Sequence, residues 1–67
     1  SIVSTQIAFV AKEMNNGWTK ISMRSKNIDV AKICAMYGGG GHTYAAGCTM
    51  KCNIQDSINK LLKEINL

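Results

Sequence analysis

Gly38-Gly39-Gly40-Gly41-His42 is the segment of this 67-residue sequence whose residue types most clearly suggest chemistry. Four consecutive glycines lose more backbone entropy on ordering than any other tetrapeptide, and one glycine inside an element costs about 0.5–1 kcal/mol relative to alanine. A domain of this length has a net stability of only about 3–10 kcal/mol, so the run is a substantial penalty. Two readings account for it. In one, a ligand approaches the backbone closely and successive N–H groups point at it, which makes an anion site. In the other, one or two of the glycines serve a helix end and a tight turn. His42 fits the first reading, because an imidazole donates to phosphate, more strongly when protonated. His42-Thr43-Tyr44-Ala45-Ala46 could then form a short helical turn that starts at the last glycine. A P-loop is excluded, since no Lys-Ser/Thr follows the glycines and the run follows a helix rather than a strand.

Arg24 is the second candidate. Strand parity places it with Lys20 and Ser22 on the face away from the core, where a guanidinium can make bidentate phosphate contacts. Ser25, Lys26 and Tyr44 are further candidates for contact with a phosphate or a base, against solvated surface as the alternative. Trp18 is expected in the core. Cys34, His42, Cys48 and Cys52 add up to the four ligands of a structural zinc site, but the spacing argues against one. If Cys48 and Cys52 share a strand, their Cα atoms lie about 13 Å apart. Zn–S bonds of ~2.3 Å require sulfurs only about 4 Å apart, so buried thiols acting as small apolar groups are expected instead. The only carboxylates are Glu13, Asp29, Asp56 and Glu64. They are too few and too scattered for a metal-dependent hydrolase. No catalytic residue and no metal ligand is assigned, and the chain by itself is not expected to be an enzyme.

The elements that must position these groups follow from periodicity. Gln6 to Met14 reads as a strand, and its apolar run Ile7-Ala8-Phe9-Val10-Ala11 suggests cover on both faces. Asn15-Asn16-Gly17 is a hairpin signal, and Trp18 to Ser25 alternates as the second strand. Asp29 caps a helix whose stripe is Val30, Ile33, Cys34 and Tyr37, ended by Gly38 in the left-handed C′ conformation. Ala46, Cys48, Met50 and Cys52 alternate as a third strand. Asn53 with Asp56 resembles a capping box, and Ile54, Ile58, Leu61, Leu62 and Ile65 line one face of a final helix. The expectation is an α/β fold of order β-β-α-(GGGGH loop)-β-α, with helices packed on a small mixed sheet.

Composition limits the classes. With 46% hydrophobic and 18% charged residues the chain is neither disordered nor fibrous, and 67 residues allow a single domain. No apolar run approaches the ~20 residues of a membrane span, so no membrane partner is expected. The N-terminus shows no secretory leader, and three cysteines make no disulfide framework, which points to a reducing, cytoplasmic setting. The net charge of +4 is permissive of an anionic ligand. The first residue is Ser1 rather than Met, so a longer parent is expected.

Taken together, Ile21-Ser22-Met23-Arg24-Ser25, Asp29-Val30 opening a helix, and GGGGH followed by Ala45-Ala46-Gly47 resemble the DHH-associated C-terminal domain. The resemblance covers nearly the whole chain, residues 1–67. It implies the substrate-binding half of a DHH-family phosphoesterase, a bacterial hydrolase. The nearest group is the nanoRNases and 3′-phosphoadenosine-5′-phosphate phosphatases. On that resemblance an N-terminal DHH catalytic domain of the same chain holds two Mn²⁺ ions, and the parent is an exonuclease that can form homodimers. No DHH motif occurs in these residues. Gly38, Gly39, Gly40, Gly41 and His42 would hold phosphate and Arg24 the nucleotide backbone. The implied ligand is a short RNA or adenosine 3′,5′-bisphosphate. RecJ-like single-strand exonucleases, cyclic-dinucleotide phosphodiesterases and a non-catalytic RNA-binding module remain alternatives.

Overall fold

The computed structural model describes residues 6–65. Residues 1–5, part of the stretch read for a leader, lie outside them. The elements run β1 (Ile7–Glu13), β2 (Thr19–Ser25), α1 (Val30–Ala35), β3 (Gly40–His42), β4 (Ala45–Met50) and α2 (Ile54–Ile65). One sheet has the order β1-β2-β4-β3. Every pairing is antiparallel, where a mixed sheet was expected. The difference comes from the glycine segment. It is not only a loop, because Gly40–His42 forms a short edge strand that turns back through Thr43-Tyr44 onto β4. The expected helical turn at His42 to Ala46 is therefore a β-hairpin.

Both helices pack on one face of the sheet. Ile21, Met23, Cys48 and Met50 point into that layer against Val30, Ile33 and Cys34 of α1 and Leu61 of α2, all buried. Asp29 caps α1 by accepting from the Lys32 N–H at 3.1 Å, and Asn53 accepts from the Asp56 N–H at 2.8 Å at the start of α2. Each cap satisfies a donor that the first helical turn leaves without a partner.

Among the described residues no helix packs on the opposite face of the sheet. Val10 is 70% exposed there, so the expectation that β1 is covered on both faces does not hold. As an edge strand in a two-layer fold, β1 buries Phe9 and Ala11 on one side only. Trp18 is also corrected. Thr19 takes the inward position, fully buried with its hydroxyl donating to the Cys52 carbonyl at 2.9 Å. Alternation then turns Trp18 outward, where the Lys51 Nζ sits 5.4 Å from its ring centroid. The third strand stops at Met50, and Cys52 belongs to the bend that leads into α2.

Candidate phosphate-binding face

Directly opposed residues on neighbouring antiparallel strands share a face. On the open face the register aligns Ala8, Arg24, Ala45 and His42 in one row across all four strands. The next row is Val10, Ser22, Gly47 and Gly40. Arg24 and His42, distant in sequence, are therefore brought to the same exposed surface. Two strand spacings separate their Cα atoms, roughly 10 Å, with only the Ala45 methyl between them. Arg24, Ser22, Gly40, Ala45 and Gly47 line a shallow depression of about 310 Å³. On its other side Arg24 borders a second depression of about 500 Å³ shared with Gln6, Ala8 and Lys26. His42 lines neither depression and shares only the row with Arg24, so the first depression itself offers the guanidinium alone as a charged donor for a phosphate.

The four glycines divide by role. Gly38, at φ +79°, ends α1, donating to the Ala35 carbonyl at 3.1 Å while the Gly39 N–H donates to the Cys34 carbonyl at 2.9 Å. These two bonds form a Schellman motif with Gly38 at C′. Both N–H groups are thus engaged by the helix end rather than offered to a ligand. Gly39 lies against β4, where an added Cβ would be 2.2 Å from the Gly47 carbonyl oxygen. Gly41, at φ +146°, has the Ala45 carbonyl oxygen 2.7 Å from the position of a Cβ. Gly40 differs, for a Cβ there would meet nothing within 4 Å. Packing does not require glycine at position 40, and that position faces the depression.

Ser25 does not present its hydroxyl to the open face. It donates to the Ile28 carbonyl and accepts from the Ile28 N–H at 3.1 Å, which shapes the turn into α1. Tyr44 sits at the tip of the β3–β4 hairpin, 54% exposed, and Lys26 follows the end of β2. Sequence reasoning did not identify Ala8 and Gly47 as part of the surface. Only the β2–β4 pairing places Gly47 beside Ser22, and no local signal carries that pairing.

Among the described residues no three His, Cys, Asp or Glu side chains converge, so they offer no metal centre. Cys34 and Cys48 instead pack together in the core. Burial pushes the Cys48 thiol up to about 12, with the neighbouring Cys34 adding to the rise, and burial raises Cys34 as well. Neither thiol is a nucleophile at neutral pH. No helix among the described residues is long and apolar enough to cross a membrane.

A family described as the DHHA1 domain matches residues 1–67. A bifunctional oligoribonuclease and PAP phosphatase, NrnA, from Mycoplasma genitalium is 40% identical over 55 residues, which cover 79% of this chain. The chain spans about 17% of the length of that relative.

Proposed function

This chain belongs to the DHHA1 domain family, and from that premise we propose that its open sheet face binds the phosphate of a nucleotide substrate for a DHH-family phosphoesterase. The substrate class is a short oligoribonucleotide or adenosine 3′,5′-bisphosphate, in keeping with the name of the Mycoplasma genitalium relative. The observation that carries the reading is the single row joining Arg24 and His42 across Ala45, with the side-chain-free Gly47 and Gly40 in the row beside it. Arg24 supplies a bidentate donor from β2, His42 a second donor from β3, and the missing side chain at Gly40 lets the ligand approach the strand. Gly38, Gly39 and Gly41 contribute by fixing where β3 lies. Hydrolysis belongs to a catalytic DHH domain of the same protein, and the two manganese ions expected for that reaction would be held there.

Arg24→Ala and His42→Ala in the full-length protein test this directly. Each is expected to raise KM for adenosine 3′,5′-bisphosphate or a phosphorylated RNA dinucleotide, or to lower kcat/KM, by about 10- to 100-fold, the value of a charge-assisted hydrogen bond. The melting temperature should stay unchanged, since both side chains are exposed. Unaltered kinetics in both variants would refute the assignment.

A further inference from the structure

β3 is shorter than the strand it pairs with. Its partners are Ala45, Ala46 and Gly47, so Cys48, Thr49 and Met50 of β4 have a strand neighbour on the β2 side alone. Two contacts fix the direction of the peptide groups along this edge. The Ser25 N–H donates to the Tyr44 carbonyl at 3.1 Å, so even-numbered residues of β4 bond to β2. The Gly47 carbonyl oxygen lies toward Gly39, so odd-numbered residues point the other way. Thr49, which is exposed, therefore directs its N–H and C=O outward beyond the end of β3, where residues 37–39 still close the end of α1. Two depressions of about 380 Å³ and about 240 Å³ meet here, and Tyr37 and Thr49 line both. Lys20 borders the first, and Lys60 borders the second with Lys51, which also reaches the Trp18 ring. Among the described residues no carboxylate lines either depression. Glu64, one turn after Lys60 on α2, acts on Tyr37 from outside the groove. Burial first and the Glu64 charge second raise the Tyr37 hydroxyl, which stays a donor.

We propose that this groove is a docking site for an acidic peptide segment of a partner protein, added in extended form beside β4 and in line with β3. The site is separate from the Arg24–His42 row and does not depend on the phosphate reading. In a peptide running antiparallel to β4, the residue opposite Thr49 exchanges both backbone hydrogen bonds with it. A phosphodiester has no N–H for the Thr49 carbonyl, so nucleic acid satisfies only half of this edge. A second copy of the chain would bring two sets of these lysines together, the arrangement by which edge strands avoid self-pairing. Charge then chooses the side chains of the guest. Directly opposed residues share a face, so the residue opposite Thr49 lies on the face of Lys20, the partner of Thr49 on β2. The residue before it, opposite the buried Met50, points to the helix side, where Lys60 lines the groove. The one before that returns to the open side beside Lys51. Three consecutive carboxylates therefore each meet one lysine.

The experiment titrates the full-length protein into a fluorescein-labelled peptide with three consecutive glutamates, followed by anisotropy. The peptide should bind, and the same peptide with glutamine at those positions should bind about tenfold more weakly. Lys60→Glu should weaken the glutamate peptide about threefold, and Lys51→Glu/Lys60→Glu about tenfold, the scale of exposed ion pairs. N-methylation of the third glutamate removes the N–H that meets the Thr49 carbonyl and should cost about fivefold. Amide exchange at Thr49 should slow in the complex. Affinity for adenosine 3′,5′-bisphosphate should stay the same in both lysine variants, which separates this groove from the phosphate site. Equal binding of the N-methylated peptide would reduce the contact to charge alone and overturn strand addition. Binding that survives both lysine variants would place the peptide elsewhere, and no binding at millimolar peptide would sink the proposal outright. A concentration-dependent dimer that protects Thr49 without peptide would give the edge to a second copy and overturn it as well.

Discussion

Gly39→Ala would place a Cβ 2.2 Å from the Gly47 carbonyl oxygen and 2.6 Å from the Cys48 Cβ, both parts of the central strand β4. Neither neighbour is a flexible side-chain end, so β3 must lift away from β4 or β4 must move against β2. Overpacking of this kind costs about 1–3 kcal/mol even where side chains can adjust, and contact with backbone belongs at the upper end. In a domain of this size each kcal/mol shifts Tm by about 4–8 °C, so Gly39→Ala should melt about 12–24 °C below wild type. Gly40→Ala, one residue on, meets nothing within 4 Å. By restricting the unfolded chain it should raise stability by about 0.4–1 kcal/mol. Its methyl nevertheless adds bulk to the depression that Gly40 lines with Arg24, Ser22, Ala45 and Gly47, and ligand affinity should fall. The assay pairs thermal melts followed by circular dichroism with titration of adenosine 3′,5′-bisphosphate. A stable Gly40→Ala variant that binds like wild type would refute the argument that the glycine keeps the face clear for a ligand. A Gly39→Ala variant that melts with wild type would refute the packing of β3 on β4.

Three further outcomes follow from the same structure. The Cys48 thiol titrates near 12 in the fold against an ordinary 9.0, so the unfolded chain loses its proton first and stability falls as pH rises above 9. At pH 10.5 the loss from this group alone is about 2 kcal/mol relative to pH 7, and urea midpoints should show it. Cys48→Ala should flatten that slope, and an unchanged slope would contradict the burial of the thiol. Thr19→Val keeps the shape but leaves the Cys52 carbonyl with only the longer 3.5 Å bond from the Ser57 hydroxyl, which should cost about 1 kcal/mol in chemical denaturation. Binding of a single-stranded oligonucleotide should weaken with salt at a slope of about −0.7 per phosphate neutralised, and a flat salt response would argue against phosphate contacts on the open face.

Much of this molecule was legible from local pattern alone. The first hairpin, both helix caps and the glycine that ends α1 depend on neighbours within a few residues, and the structure places them where those neighbours dictate. The alternation of β2 already set Arg24 on the face away from the core. Other features had no local signal. The apolar run of β1 looked doubly covered, because sequence does not state that β1 is an edge strand with helices on one side only. Trp18 looked like core because its size favours burial, whereas the pleat gave the inward position to Thr19. The glycine run looked like one motif, yet Gly38 ends α1 at positive φ, the contacts of β4 assign Gly39 and Gly41 to packing, and Gly40 is left facing the depression. The row that unites Arg24 with His42 exists only through β4, which inserts between β2 and β3. Residue types are a local property and suffice to nominate a guanidinium and an imidazole. Their meeting on one surface depends on strand order and register, which long-range hydrogen bonding and burial decide together.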